Sequence, residues 1–221
     1  MTVHRRVVLV VDYQNAHQVG HKRFASAQKL RSTLLDPGLL GDQLMRRRAI
    51  DLTAPRPGYT GTPYDPEFDE LTDIFVFRGL PHLDRDPRGH AANLAQQVHW
   101  QEDSRVSVTL RPLTYQPRDR CPHDPPGGIS DTVAREKGVD VLVAMKLAEI
   151  AHKATHDVAI LFCQDSDLTP ALELTRGLGP TRIEAAGWFK WLSHNVPGVW
   201  QSRLLESDFV AARDTFKYPR L

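Results

Sequence analysis

Residues 157–170 read DVAILFCQDSDLTP, an unbroken apolar run that stops at two aspartates. A run of this length without alternation marks a strand covered on both faces, as in a parallel sheet packed between helices. Residues 6–12, RVVLVVD, show the same pattern and also end in Asp. Further strands are predicted at 73–78 (DIFVFR), at 105–111 (RVSVTLR), and at 181–187 (TRIEAAG), the last following GLG and Pro180. Helices are predicted over 88–101 and 138–154, where VDVLVAMKLAEIAHKA is rich in good helix formers. Strand and helix therefore alternate, which implies an α/β fold in three layers. Its central sheet is expected to be mostly parallel, with about five strands, helices on both faces and right-handed crossovers.

Length and composition fit one such unit. The 221 residues suffice for a full core and are read as a single domain over 1–221. Two stretches are too rich in Pro and Gly for regular structure: 53–66, TAPRPGYTGTPYDP, and 112–128, PLTYQPRDRCPHDPPGG. A hydrophobic content of 41% and a charged content of 25% exclude a disordered chain. With two cysteines, Cys121 and Cys163, a disulfide framework is excluded as well. No apolar run reaches membrane-span length and MTVHRRVVLV leads into VDYQN without a cleavage site, so no membrane association and a cytoplasmic location are expected.

The net charge of +1 carries no general attraction to a polyanion, so any nucleic-acid contact must be local. Arg46, Arg47 and Arg48 form the densest basic run, followed by His4, Arg5 and Arg6; solvated surface is the expected role of both.

The acids are placed more tellingly. In open α/β sheets, ligands bind beyond the carboxyl ends of the strands. Asp12 closes one strand and is followed by Asn15; Asp165 and Asp167 follow another; Asp140 lies in the first turn of the helix that EKGVD opens. A lone Asp after a strand is usually a turn former or helix cap. Here three segments deliver four carboxylates, and like charges brought together cannot all stay ionised without a cation. Oxygen ligands without Cys or His favour Mg²⁺ or Mn²⁺ over zinc.

The chain resembles the NYN branch of the PIN-like nuclease superfamily. The resemblance is carried by VVDYQNAH (10–17), VTLRPLTYQP (108–117), REKGVDVLVAMKLAEIA (135–151) and VAILFCQDSDLTPALELTRGLG (158–179), and it spans nearly the whole chain. It implies a PIN-like, flavodoxin-like fold and a metal held by Asp12, Asp140, Asp165 and Asp167. It also implies hydrolysis of RNA phosphodiesters, single-stranded or structured, with Asn15 and Lys137 matching polar site residues. Lys137 is expected to set a positive charge against the phosphate, and Asn15 to orient water. Where many members carry a further Asp six residues after the KGVD aspartate, this chain has Lys146. Gln164 stands where Gly is usual, and Leu168 where Phe is usual. By analogy with small PIN-like proteins, a homodimer or a regulatory protein partner is expected.

Other readings compete. A noncatalytic RNA- or partner-binding module would keep the fold, with Lys146 standing in for a second cation. The same FCQDSDLT string fits the DxDxT motif of haloacid-dehalogenase-like phosphatases, but too little chain follows it to supply their later motifs. His17 and His21 stand four apart without a third ligand, and Cys121 and His123 lie in a Pro-rich loop; neither pair is assigned zinc. Trp188, Phe189, Lys190 and Trp191 form either a stacking platform for single-stranded RNA or a cap on the core.

Overall fold

The structure, a computed structural model, describes residues 4–53, 65–117, 132–190, 194 and 196–218. Eight strands and six α-helices follow in chain order: β1 (Arg5–Asp12), α1 (Tyr13–Phe24), α2 (Pro37–Thr53), β2 (Asp69–Leu80), α3 (Pro87–Trp100), β3 (Val106–Pro112), β4 (Thr114–Pro117), β5 (Thr132–Arg135), α4 (Val139–Lys153), β6 (Val158–Phe162), α5 (Thr169–Thr175), β7 (Arg182–Trp188), β8 (Trp200–Leu204) and α6 (Glu206–Ala211). All five expected strands and both expected helices are present.

Six strands form one sheet in the order β3-β2-β1-β6-β7-β8. Every neighbouring pair is parallel, from Val7 opposite Val158 through Trp188 opposite Leu204. The sheet is wound outward in both directions from its centre, so the connections diverge between β1 and β6, where doubly wound sheets bind their ligands.

Alternation along β1 assigns the two faces. Val7, Leu9 and Val11 pack with Tyr13 and Ala16 of α1, Leu40 and Leu44 of α2, Trp100 and Phe209. Val8 and Val10 pack with Val139, Val143, Leu147 and Ile150 of α4 and Leu172 of α5. These two cores make the three-layer α/β fold. All five residues Val158–Phe162 are fully buried, as expected of a strand covered on both sides.

The structure adds three features. The edge strand β8, WQSRL, is short and half polar, so no apolar run announces it. Within the Pro-rich stretch 112–128, Thr114–Pro117 form β4, paired antiparallel with β5. A two-stranded ribbon tolerates Pro117 because it terminates the ladder; the rest of that stretch, Cys121 and His123 included, lies outside the described residues. The expected 53–66 loop is described only at its ends, Thr53 closing α2 and Asp65 and Pro66 leading toward β2.

The basic run turns from exposed at Arg46, as expected of solvated surface, to fully buried at Arg48, contrary to that expectation. Arg48 has no exposed area and is bound by Glu184 at 2.6 Å and Asp69 at 2.5 Å, while Arg46 and Arg47 both reach the buried carboxylate of Asp208. Arg5 also binds Asp69, at 2.7 Å. The three arginines clamp α2 onto the sheet edge and α6. A sequence shows that charges are consecutive, not that acids far along the chain arrive to bury them.

Candidate active site at the carboxyl ends of β1 and β6

Asp12 is both the last residue of β1 and the N-cap of α1, accepting a hydrogen bond from the Asn15 backbone N–H at 3.0 Å. That double role turns the chain sharply and keeps its carboxyl low in the cleft, 8% exposed. Cys163, at the end of β6, lies beneath it with Sγ 3.7 Å from Oδ2. Burial pushes the Asp12 pKa up, and the negative charges of Asp165 and Asp140 push it further. Hydrogen bonds from Asn15 and Cys163 act in the opposite direction.

Beyond β6, Asp165 opens a 3₁₀ turn (Ser166–Leu168) and accepts from the Asp167 N–H at 3.0 Å. Both carboxylates are exposed. Across the cleft, α4 begins after Gly138, whose left-handed backbone (φ 81°) lets the chain turn in from β5. No side chain caps this helix start, and Asp140 stands in its first turn. The tertiary structure thus brings Asp12, Asp140 and Asp165 into one electrostatic neighbourhood, with Asp167 on the exposed turn that Asp165 caps.

Asn15 also has a structural task. Its side-chain oxygen accepts from the Gln164 backbone N–H at 2.8 Å, so it ties the ends of β1 and β6 together. Lys137 is exposed beside the start of α4, and Arg111 holds its backbone carbonyl at 2.8 Å. Lys146 faces away from the acids: six residues along a helix is about 9 Å of rise, and its ammonium binds Glu149 at 2.8 Å and lies over the Phe75 ring.

Sequence reasoning missed two charges. Glu136, one residue before Lys137, reaches across to accept from the Gly79 N–H; a side chain at Gly79 would collide with it. Burial, with Asp12 and Asp140 nearby, pushes its pKa up to about 7. Its position in REKGVD, four residues before Asp140, was the available signal. Arg78, the lone charge after the apolar run of β2, lies over the rings of Tyr13 at 4.7 Å and Trp100 at 5.4 Å.

Trp188 is core, with no exposed area and its Nε1 donating to the Ala16 carbonyl at 2.8 Å. Phe189 and Lys190 are partly exposed next to it, and Trp191 lies outside the described residues. His17 and His21 both meet the Thr33 hydroxyl, at 3.1 and 3.0 Å.

No protein-family model and no curated protein matches this chain. Among solved structures it is similar to a protein of unknown function from Vibrio parahaemolyticus, at 17% identity over 87% of this chain and 88% of that one, with a TM-score of 0.47.

Among the described residues no three His, Cys, Asp or Glu side chains stand close enough to enclose an ion. Mg²⁺ usually keeps several waters and takes only one or two carboxylates directly, so Asp12 and Asp165, whose charges act on one another, would be the residues offered to such a cation. Among the described residues, no helix is long and apolar enough to cross a membrane.

Proposed function

We propose that the protein is a cytoplasmic, metal-dependent ribonuclease of the NYN, PIN-like type, cutting RNA at the cleft between the ends of β1 and β6. One observation carries the reading. At the switch point of a doubly wound sheet, the Asp12 carboxyl has its pKa raised first by burial and then by the negative charges of Asp165 and Asp140, an arrangement that a bound cation relieves.

Mg²⁺ or Mn²⁺, when bound, supplies a Lewis acid for a phosphate oxygen and lowers the pKa of a bound water. The residues do the rest. Asp12 and Asp165 would be the residues to hold such a cation, with Asp140 and Asp167 available to accept hydrogen bonds nearby. Asn15 keeps the two strand ends in register through Gln164. The uncapped N–H groups of α4 and the Lys137 ammonium beside them would favour the charge of a phosphate bound there. Glu136, whose Oε1 accepts from the Gly79 N–H and whose pKa is pushed up to about 7 chiefly by burial, would be the general acid for the leaving oxygen.

The test is cleavage of a panel of single-stranded and structured RNAs by the wild type and Asp165→Asn in Mn²⁺, Mg²⁺ or EDTA, with the product ends mapped. Cutting that needs metal and is lost in Asp165→Asn is expected. The absence of a closed ligand set favours a second reading, a noncatalytic RNA- or partner-binding module. Failure of the wild type to cut any RNA would select it. Lys146, engaged by Glu149 and Phe75, is not available as a substitute cation in either case.

A further inference from the structure

A pocket of about 500 Å³ opens on the α1 side of the β1 end, lined by Tyr13, His17, Arg78, Asn93, Gln96 and Tyr218. Leu30, Leu34 and Ala92 add apolar wall, and the exposed Arg31 and Asp86 border it. The pocket lies on the α1 face of the sheet, while Phe77 belongs to the α4 face, and adjacent residues link the two at the carboxyl end of β1. Tyr13 follows Asp12 in the chain, and Arg78 follows Phe77, which is paired with Asp12 in register.

Arg78 is the unusual group. A guanidinium offers five N–H donors. One nitrogen donates to the Gln96 Oε1 at 2.6 Å, and among the described residues no other hydrogen bond and no carboxylate within 4.0 Å engages it. Its head rests on the Tyr13 and Trp100 rings, and burial pulls its pKa down. Donors left over in a concave site with apolar walls call for a flat ligand with acceptors on its edge. A phosphate would satisfy the charge but leave most of this volume and its apolar wall unused. Guanine presents O6 and N7 side by side, the pair that arginine binds in bidentate fashion, whereas adenine sets a donor beside N7.

We propose that this pocket takes a guanine base, with Arg78 reading its O6 and N7, so that a strand lying across the β1 end is held at a guanosine beside the acids. Its extension to a strand rests on the nuclease reading; binding of the mononucleotide does not.

The experiment is calorimetric titration of the full chain, in EDTA, with 5′-GMP, 5′-AMP and inorganic phosphate, for the wild type, Arg78→Met and Ala92→Leu. GMP is expected to bind at least tenfold tighter than AMP, and phosphate to give no saturable binding. Both variants are expected to weaken GMP binding at least tenfold. Ala92→Leu fills the pocket and keeps the Arg78 side chain itself, so it decides the matter if Arg78→Met does not fold. Equal binding of GMP and AMP, phosphate binding as tightly as GMP, or unchanged GMP binding in Ala92→Leu overturns the inference. Cleavage lost in Asp165→Asn but indifferent to guanosine overturns the strand-positioning role and leaves the nuclease standing. GMP binding through Arg78 in a chain that cuts no RNA does the reverse.

Discussion

The side-chain oxygen of Asn15 accepts a hydrogen bond from the backbone N–H of Gln164 at 2.8 Å, joining residues 149 positions apart in the chain. It spans the gap between β1 and β6 immediately above the last rung of their ladder, Val11 opposite Phe162. Asp12 and Asp165 each lie within three residues of this bond, so their separation depends on it.

Replacing Asn15 by Ala leaves the Gln164 N–H without its partner. A loss of about 1–2 kcal/mol in urea unfolding is expected, the usual result when one side of a partly buried hydrogen bond is removed. Cleavage is expected to fall further than stability, because the two aspartates lose their common brace. Full activity at reduced stability would show that the brace serves the fold alone.

Glu136 has a folded pKa of about 7 against an ordinary 4.5. Between those values the folded state binds more protons than the unfolded one, so its contribution to stability falls as pH rises from 4.5 to 7 and is lost above. Discounted for partial exposure, that loss is roughly 1–2 kcal/mol. Glu136→Gln, measured by thermal unfolding in EDTA, should exceed the wild type in midpoint at pH 8 and converge with it at pH 4.5. Parallel curves over that range would refute the assignment.

His17 shows the opposite dependence. Burial and the charge of Arg78 lower its folded pKa to about 4 from 6.5. The unfolded state binds more protons between these values, so stability declines as pH falls from 6.5 to 4, by about 3 kcal/mol in total. In the Glu136→Gln background this slope is no longer offset, and His17→Gln should flatten it.

Arg48 is enclosed between Glu184 and Asp69. Arg48→Ala removes the buried cation shared by Glu184 and Asp69, which keep Arg182 and Arg5 at their rims, and a loss of about 3 kcal/mol in chemical unfolding is expected, the low end for breaking a buried ion pair. Lys146→Ala, which removes only a surface pair with Glu149, should shift stability by no more than about 1 kcal/mol.

The sheet was legible because its strands are apolar and buried on both faces, so RVVLVVD and DVAILFC stand out whatever their neighbours are. The strand β8 and the ribbon strand β4 were not, because an edge strand or a two-stranded ladder needs no apolar run. Asp12, Asp140 and Asp165 could be nominated as strand-end and helix-start acids. Glu136 and Arg78 escaped because each is an isolated charge whose significance depends on what packs over it: Gly79 for one, Tyr13 and Trp100 for the other.

By itself the sequence determined the three-layer α/β class, the order of its elements and the positions of the acids along them, since local periodicity and chain order require no knowledge of distant partners. Only the tertiary structure decided that β1 and β6 are neighbours, that Asn15 bridges them, that Arg48 is buried between two acids, and that Arg78 lines a pocket on the α1 face. Each of these depends on pairing between segments far apart in the chain, and burial and charge, which set what a side chain can do, exist only once those segments have met.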